Sequence, residues 1–294
     1  MLRSVLLAVL ASACGAALLR RPEDRPFKLM SRCPSLDSLP VVCQYGGVSV
    51  LAGSQGLNQR KLRFGDECAV ETVVSCKGPM PGDGTCGGGC TPCPCEFDDS
   101  IHTLSAPYMR TMFESMAPWC SSAGATQVLS IGLGGGELPQ FLLRRCPNMR
   151  IETVELNEEV IHVATNFFGL GESQSAFGDR VSVEHADALA AVEERALSRY
   201  DAVLVDCFAG GGRVPETCRS RRFAEKVRGI LKPSGVLLQN IWRKSPRHPE
   251  VAADFSATIT TYGEVFHGAV EDLAVPMPPN LRFVDILKAT KLAP

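Results

Sequence analysis

The residues best placed for chemistry follow one short apolar run. Gln127-Val128-Leu129-Ser130-Ile131 leads directly into Gly132-Leu133-Gly134-Gly135-Gly136-Glu137-Leu138, and the next apolar run, Ile151 to Glu155, closes on a carboxylate. Glycines let a chain turn sharply and bring backbone N–H groups against a ligand that a Cβ would push away. An acid ending the next strand accepts two hydrogen bonds from a ribose diol, each worth about 1.5–3 kcal/mol to a charged acceptor. Taken singly, the glycines make a tight turn and Glu155 is a helix-start carboxylate favoured by the dipole. In the order strand, glycine bend, helix, strand, acid, they point to a bound nucleoside.

Position 137 narrows the ligand. The dinucleotide fingerprint needs a third glycine there; this chain has Glu137, and a carboxylate at the mouth of a pyrophosphate pocket would repel phosphate. No Gly-Lys-Ser/Thr follows, which excludes a Walker loop. A ligand with ribose and adenine but no phosphate fits better: S-adenosylmethionine or its decarboxylated form, whose positive sulfonium tolerates nearby acids.

These residues need a scaffold, and from Ser100 onward the pattern supplies one. Strands are expected at 127–131, 151–155, 181–185, 202–205 and 235–241, with two last ones at 264–268 and 282–287. Helices are expected at 138–145, 157–168, 188–198, 223–231 and 251–262. Alternation at this spacing predicts an α/β, Rossmann-like, mostly parallel seven-stranded sheet with helices on both faces. Ala202-Val203-Leu204-Val205 is so apolar that both its faces must be covered. Ligands in such sheets bind beyond the carboxyl ends of the strands.

The first hundred residues differ in composition. Residues 1–19 carry Arg3 and then an apolar stretch with small residues near its end, the anatomy of a secretory signal, with a membrane anchor or an organelle presequence as alternatives. Residues 20–40 read as a linker, and 41–100 as a small β domain with glycine turns; 101–294 form the nucleoside-binding domain. Eight of the thirteen cysteines lie between Cys33 and Cys95. Cys86, Cys90, Cys93 and Cys95 invite a zinc reading, but the separation between two Cys pairs that zinc sites show is missing. Disulfides with Cys33, Cys43, Cys68 and Cys76 are preferred, zinc remaining open if the signal reading fails. No metal site is assigned, since the five histidines show no metal spacing, and no Ser-His-Asp or Cys-His arrangement is evident.

The formal charge of −2 argues against a general nucleic-acid binder. After the first twenty residues no apolar run is long enough to cross a bilayer. A homodimer is allowed by the sequence but not specified by it.

Several runs together resemble the spermidine-synthase-like branch of class I S-adenosylmethionine-binding transferases. They are Val128 to Gly136, Val154-Glu155-Leu156-Asn157, Ala186-Asp187-Ala188, Tyr200 to Asp206, Val214-Pro215-Glu216, Arg222-Phe223, and Leu231 to Trp242, with Ala106 to Met112 upstream. The cysteine-rich insertion 75–97 is outside the family's pattern. The resemblance implies the class I methyltransferase fold. It also implies that Gly132, Gly134 and Gly136 form the nucleoside loop, that Glu155 holds the ribose hydroxyls, and that Asp187 meets the adenine amino group while Ala188 donates a backbone N–H. A helix cap is the plainer role for Asp187. Asp206 would face the sulfonium and the acceptor and is the expected catalytic residue, although it could simply cap the next turn. Tyr108, Glu71 and Trp242 are candidates to face substrate. Two acids of aminopropyltransferases are missing: the loop acid is replaced by Gly135 and the second acid after the fourth strand by Ala209. A diamine would lose two charge-assisted partners. Methyl transfer to a small-molecule or protein acceptor is therefore expected, with aminopropyl transfer (spermidine synthesis) as the alternative. An inactive nucleoside-binding or interaction module is the third reading. A secretory destination sits awkwardly with a donor made in the cytosol, so a transporter or another organelle would have to supply it.

Overall fold

Short runs of strand-forming residues cut by glycine make an antiparallel meander when each strand can fold straight back on its predecessor. In the computed structural model, β1 (Val41–Tyr45), β2 (Val48–Ala52), β3 (Gln59–Phe64) and β4 (Thr72–Ser75) form a four-stranded antiparallel sheet in that order. Gly46 turns β1 into β2 at φ +54°, and Tyr45 pairs with Val48 across the turn. The structure describes Leu36 and residues 39–53, 58–64, 70–77, 90–93, 95–100, 104–209, 212–245, 248–276 and 283–293. The N-terminal stretch read as a targeting segment, most of the linker, and Cys33, Cys68 and Cys86 lie outside them.

Two compact units divide the chain. The first holds the described residues up to Ala106 together with Gly134–Glu137 and His162–Glu172; the second holds Pro107–Leu133, Leu138–Ile161 and the described residues from Ser173 on. In the first, disulfides Cys43–Cys90 and Cys76–Cys95 tie the cysteine-rich insertion to the sheet, and Cys93 is disulfide-bonded too. Three of the four cysteines with zinc-like spacing are thus engaged as disulfides, and the zinc alternative falls among the described residues.

The second unit is built on a seven-stranded sheet. Its strands are β5 (Thr126–Ile131), β6 (Met149–Glu155), β7 (Val181–His185), β8 (Tyr200–Val205), β9 (Leu231–Trp242), β10 (Val270–Ala274) and β11 (Val284–Thr290). They lie in the order β10-β11-β9-β8-β5-β6-β7, parallel from β7 to β9 and antiparallel in the last two pairings. The helices are α1 (Pro107–Cys120), α2 (Glu137–Arg145), α3 (Glu158–Phe167), α4 (Leu170–Phe177), α5 (Ala188–Glu194), α6 (Arg221–Ile230) and α7 (Val251–Val265). The strand order turns from leftward to rightward at β5 and β8, which carry the glycine bend and Asp206. Covered on both faces, β8 buries Tyr200 and Ala202 to Val205 at 2% exposure or less. Helix α6 shows how sequence selects a face. Ser220 caps it by accepting the Phe223 N–H at 3.2 Å, and Phe223, Ala224, Val227 and Ile230 fall on the buried side.

Three expectations need correction. Residues 264–268 are not a strand: α7 runs on to Val265 because Tyr262, Val265 and Phe266 share one buried stripe, and Gly268 ends it at φ +81° by donating its N–H to Gly263 O. Helix α5 stops at Glu194 instead of Ser198, since Arg195 turns extended. Leu231 starts β9 rather than ending α6. Among the described residues, no helix is long and apolar enough to cross a membrane.

Candidate active site

Five parallel strands aim their carboxyl ends one way, and the functional side chains of the second unit come from those ends. The bend after β5 begins at Gly132, φ +92°, whose N–H donates to Val154 O at 2.8 Å. A Cβ here would lie 2.2 Å from the Asp206 carbonyl oxygen, so only glycine lets the exits of β5 and β8 approach so closely. The next residue, Leu133, donates its N–H to Glu155 Oε2 at 2.9 Å, while Glu155 Oε1 accepts the Asn157 N–H at 2.8 Å. The acid ending β6 is therefore turned onto the bend. Each carboxylate oxygen uses one lone pair on the backbone and keeps another, which suits a cis-diol donating one hydrogen bond to each oxygen.

Asp187 caps α5, its Oδ1 accepting the N–H groups of Leu189 at 2.9 Å and Ala190 at 3.2 Å; Ala188 is the buried first residue of the helix. The plain reading of Asp187 as a helix cap is thus satisfied through Oδ1. His185, ending β7 beside Glu155, bonds the Leu156 carbonyl at 2.8 Å through Nε2.

Asp206 leaves β8 between two neutral donors. Tyr108 of α1 donates its hydroxyl to Oδ2 at 2.6 Å, and Asn240 of β9 donates Nδ2–H to Oδ1 at 2.9 Å. Burial pushes the Asp206 pKa up, and these two hydrogen bonds oppose the rise without cancelling it. Asn240 is 3% exposed, and its Oδ1 is buried with no hydrogen-bond partner among the described residues. The sequence expectation for Tyr108 was to face substrate, whereas its hydroxyl is engaged by Asp206, and no expectation covered Asn240. The available signal was its place near the carboxyl end of the strand adjacent to β8.

Gly134 (φ +53°), Gly135 and Gly136 (φ +72°) belong to the first unit. A Cβ at Gly134 would meet Thr72 Oγ1 at 2.4 Å, and one at Gly135 would meet the Phe168 ring at 2.7 Å; the Gly135 N–H donates to Thr72 Oγ1 at 3.1 Å. Glu137 corrects part of the argument against phosphate. It is 2% exposed, and its carboxylate accepts the Ser105 N–H at 2.5 Å and hydroxyl at 2.6 Å. Its charge is held by Ser105, so the exclusion of a dinucleotide rests on the lost glycine instead. Glu71, the third substrate-facing candidate, lies in the first unit beside β4, where its N–H donates to Leu62 O; Trp242 ends β9, half-buried.

The spermine/spermidine synthase domain matches residues 108–283, more than half the chain. The chain belongs to this family. Among curated relatives, an eEF1A lysine and N-terminal methyltransferase of Bos taurus is 33% identical over 39% of the chain and 17% of its own length. A polyamine aminopropyltransferase of Vibrio vulnificus is 27% identical over 59% of the chain and 55% of its own. The chain thus spans little more than half, or far less, of the curated relatives it matches. Two solved structures share the fold. A probable spermidine synthase from Corynebacterium glutamicum has TM-score 0.61 and 19% identity, covering 85% of this chain and 80% of its own. Human methyltransferase-like protein 13, in complex with SAH, has TM-score 0.52 and 24% identity over 64% and 83%. The family and the Rossmann-like methyltransferase fold expected from the sequence both hold.

Proposed function

We propose that this chain is an S-adenosylmethionine-dependent methyltransferase acting on an unidentified acceptor. The observation that carries the reading is Glu155, whose carboxylate is fixed by Leu133 and Asn157 N–H groups onto the glycine bend with a lone pair on each oxygen for a ribose diol. Asp187 Oδ2 and the first turn of α5 would face the adenine. When bound, the donor supplies an activated methyl group whose bond to sulfur breaks with the electron pair staying on sulfur. The chain's own residues must then align an acceptor and take its proton. Asp206, raised in pKa and bracketed by Tyr108 and Asn240, suits that role: its carboxylate takes the proton that the acceptor releases as its lone pair forms the new bond to carbon.

Methyl rather than aminopropyl transfer is favoured by the uncharged residues at 135 and 209, where a diamine would need acids. The family match and the aminopropyltransferase relative keep the alternative in play. The disulfides, with the apolar N-terminal segment, support an oxidising compartment of the secretory route. Calorimetric titration with S-adenosylmethionine and its decarboxylated form tests the reading. Saturable binding of the first, lost on Glu155→Ala, is expected; no binding by the wild-type chain, or efficient aminopropyl transfer to putrescine, would overturn it.

A further inference from the structure

The cysteine-rich insertion lies in the first unit, in company with Gly134–Glu137 of the glycine bend. Strand β4 is four residues long and forms the edge of the antiparallel sheet. So short an edge has little pairing of its own to hold it. The described end of the insertion supplies a partner. The Asp98 N–H donates to Ser75 O at 2.9 Å, the Lys77 N–H donates to Glu96 O at 2.6 Å, and Cys76 forms an antiparallel bridge with Phe97. Disulfide Cys76–Cys95 fastens the two legs together, with Cys95 and Phe97 buried at 1% and 2% exposure.

What this brace holds is a hydroxyl. Thr72 opens β4, buried and paired with Leu62. Its Oγ1 accepts the buried Gly135 N–H at 3.1 Å, and its γ-methyl stands 2.9 Å from where a Gly135 Cβ would be. The Phe168 ring abuts the same point at 2.7 Å. Phe168 follows α3, and Asn166, two residues earlier, accepts the Cys93 N–H at 3.2 Å through its carbonyl. The insertion thus reaches both groups that touch Gly135. Three successive glycines have no side chains to fix their backbone, and glycine loses more freedom on ordering than any other residue. An N–H with a fixed acceptor settles their course beforehand, and such preorganisation raises affinity without adding a contact to the ligand.

We propose that Thr72 is a positioning residue for the S-adenosyl donor, and that the disulfide-stapled insertion braces Thr72 and Phe168 so that the bend is set before the donor arrives. This rests on the transferase reading above and adds a group that acts through the backbone of the bend. Without the Thr72 oxygen the Gly135 N–H turns to water and the glycines relax. The donor must then pull them back, and its affinity falls by that cost.

Two measurements on the full chain test this. The first is hydrogen exchange without ligand. The Gly135 amide should exchange at least about tenfold faster in Thr72→Val, and also in Cys76→Ser with Cys95→Ser, while residues 126–131 of β5 keep their protection. The second is calorimetric titration with S-adenosylhomocysteine. Thr72→Val should weaken binding by about 5- to 150-fold, the span of a buried donor deprived of its acceptor, whereas Thr72→Ser, which keeps the oxygen, should stay within about threefold of wild type. Unchanged Gly135 exchange in Thr72→Val, or Thr72→Ser binding as weakly as Thr72→Val, overturns the proposal. Unchanged Gly135 exchange in the cysteine variant overturns the part given to the insertion. Failure of the wild-type chain to bind S-adenosylhomocysteine sinks the transferase reading, and the exchange measurement, made without ligand, still decides whether Thr72 and the insertion hold the bend.

Discussion

Gly132→Ala should damage both stability and donor capture, and Gly268→Ala is its internal control. Both positions have positive φ, +92° and +81°. Holding an alanine there costs about 1–2 kcal/mol. At Gly268 an added Cβ meets nothing within 4 Å, so that is the whole cost. At Gly132 it meets the Asp206 carbonyl oxygen at 2.2 Å and its carbon at 2.9 Å, both backbone atoms that cannot swing aside. Relief requires the exits of β5 and β8 to part by about 1 Å. That strains the bonds from Gly132 N–H to Val154 O and from Asp206 N–H to Ile131 O, both 2.8 Å. At about 0.5–1.5 kcal/mol each, the total loss is about 2–5 kcal/mol. At roughly 2–4 °C per kcal/mol, Gly268→Ala should melt about 2–8 °C lower and Gly132→Ala clearly further. Because Leu133 N–H holds Glu155 from the same bend, S-adenosylmethionine affinity should fall at least tenfold in Gly132→Ala alone. Calorimetry of both variants measures both effects. Equal melting temperatures with unchanged affinity would refute the argument.

Asp187→Asn keeps an oxygen for the α5 cap but replaces Oδ2 with a donor; stability should hold while S-adenosylmethionine affinity drops about 10- to 100-fold, whereas Asp187→Ala should also lose about 1 kcal/mol of stability. Equal affinity for Asp187→Asn would leave the residue a cap and nothing more. Asp206 has a folded-state pKa above its unfolded value, so its stabilising contribution is present below the unfolded pKa and disappears as pH rises through the folded one. Asp206→Asn, whose amide can still accept from Asn240 and donate to Tyr108, should therefore gain thermal stability relative to wild type over that rise in pH, while transfer is abolished. A melting difference that does not move with pH would contradict the assigned burial. Cys207→Ser with Cys218→Ser opens an 11-residue separation, a loss of up to about 3 kcal/mol. Hydrogen exchange should quicken in the described residues of 207–218, and unchanged protection there would show that the disulfide does not hold the loop.

The parallel core was legible because each strand declares itself locally: Ala202 to Val205 can only be a strand covered on both faces, and Gly132 to Gly136 can only be a bend. The place of Glu155 at the end of β6 was legible for the same reason, since its strand and the bend are sequence neighbours. What stayed hidden depends on contacts distant in the chain. Asn240 reaches Asp206 across 34 positions, and nothing in Gln239-Asn240-Ile241 says which of the two amides faces the acid; Gln239 instead bonds Cys218 O and Tyr262. Glu137 looked like a charge at a ligand's mouth, yet Ser105 had captured it. Helix α4 carries no such local signal, with glycines on both sides of Leu170, and residues 264–268 are no strand because Val265 and Phe266 share a buried stripe with Tyr262. The cysteine partners needed the fold itself.

The reversal of strand order between β5 and β8 partitions labour. Gly132, Glu155 and Asp187 stand at the exits of β5, β6 and β7, while Asp206, Asn240 and Phe283 stand at the exit of β8, on β9 and at the start of β11. The antiparallel β11 matters here, because running backwards brings its beginning, not its end, beside Trp242. Residues on the β9–β11 flank can therefore be exchanged over generations without disturbing the β5–β7 flank.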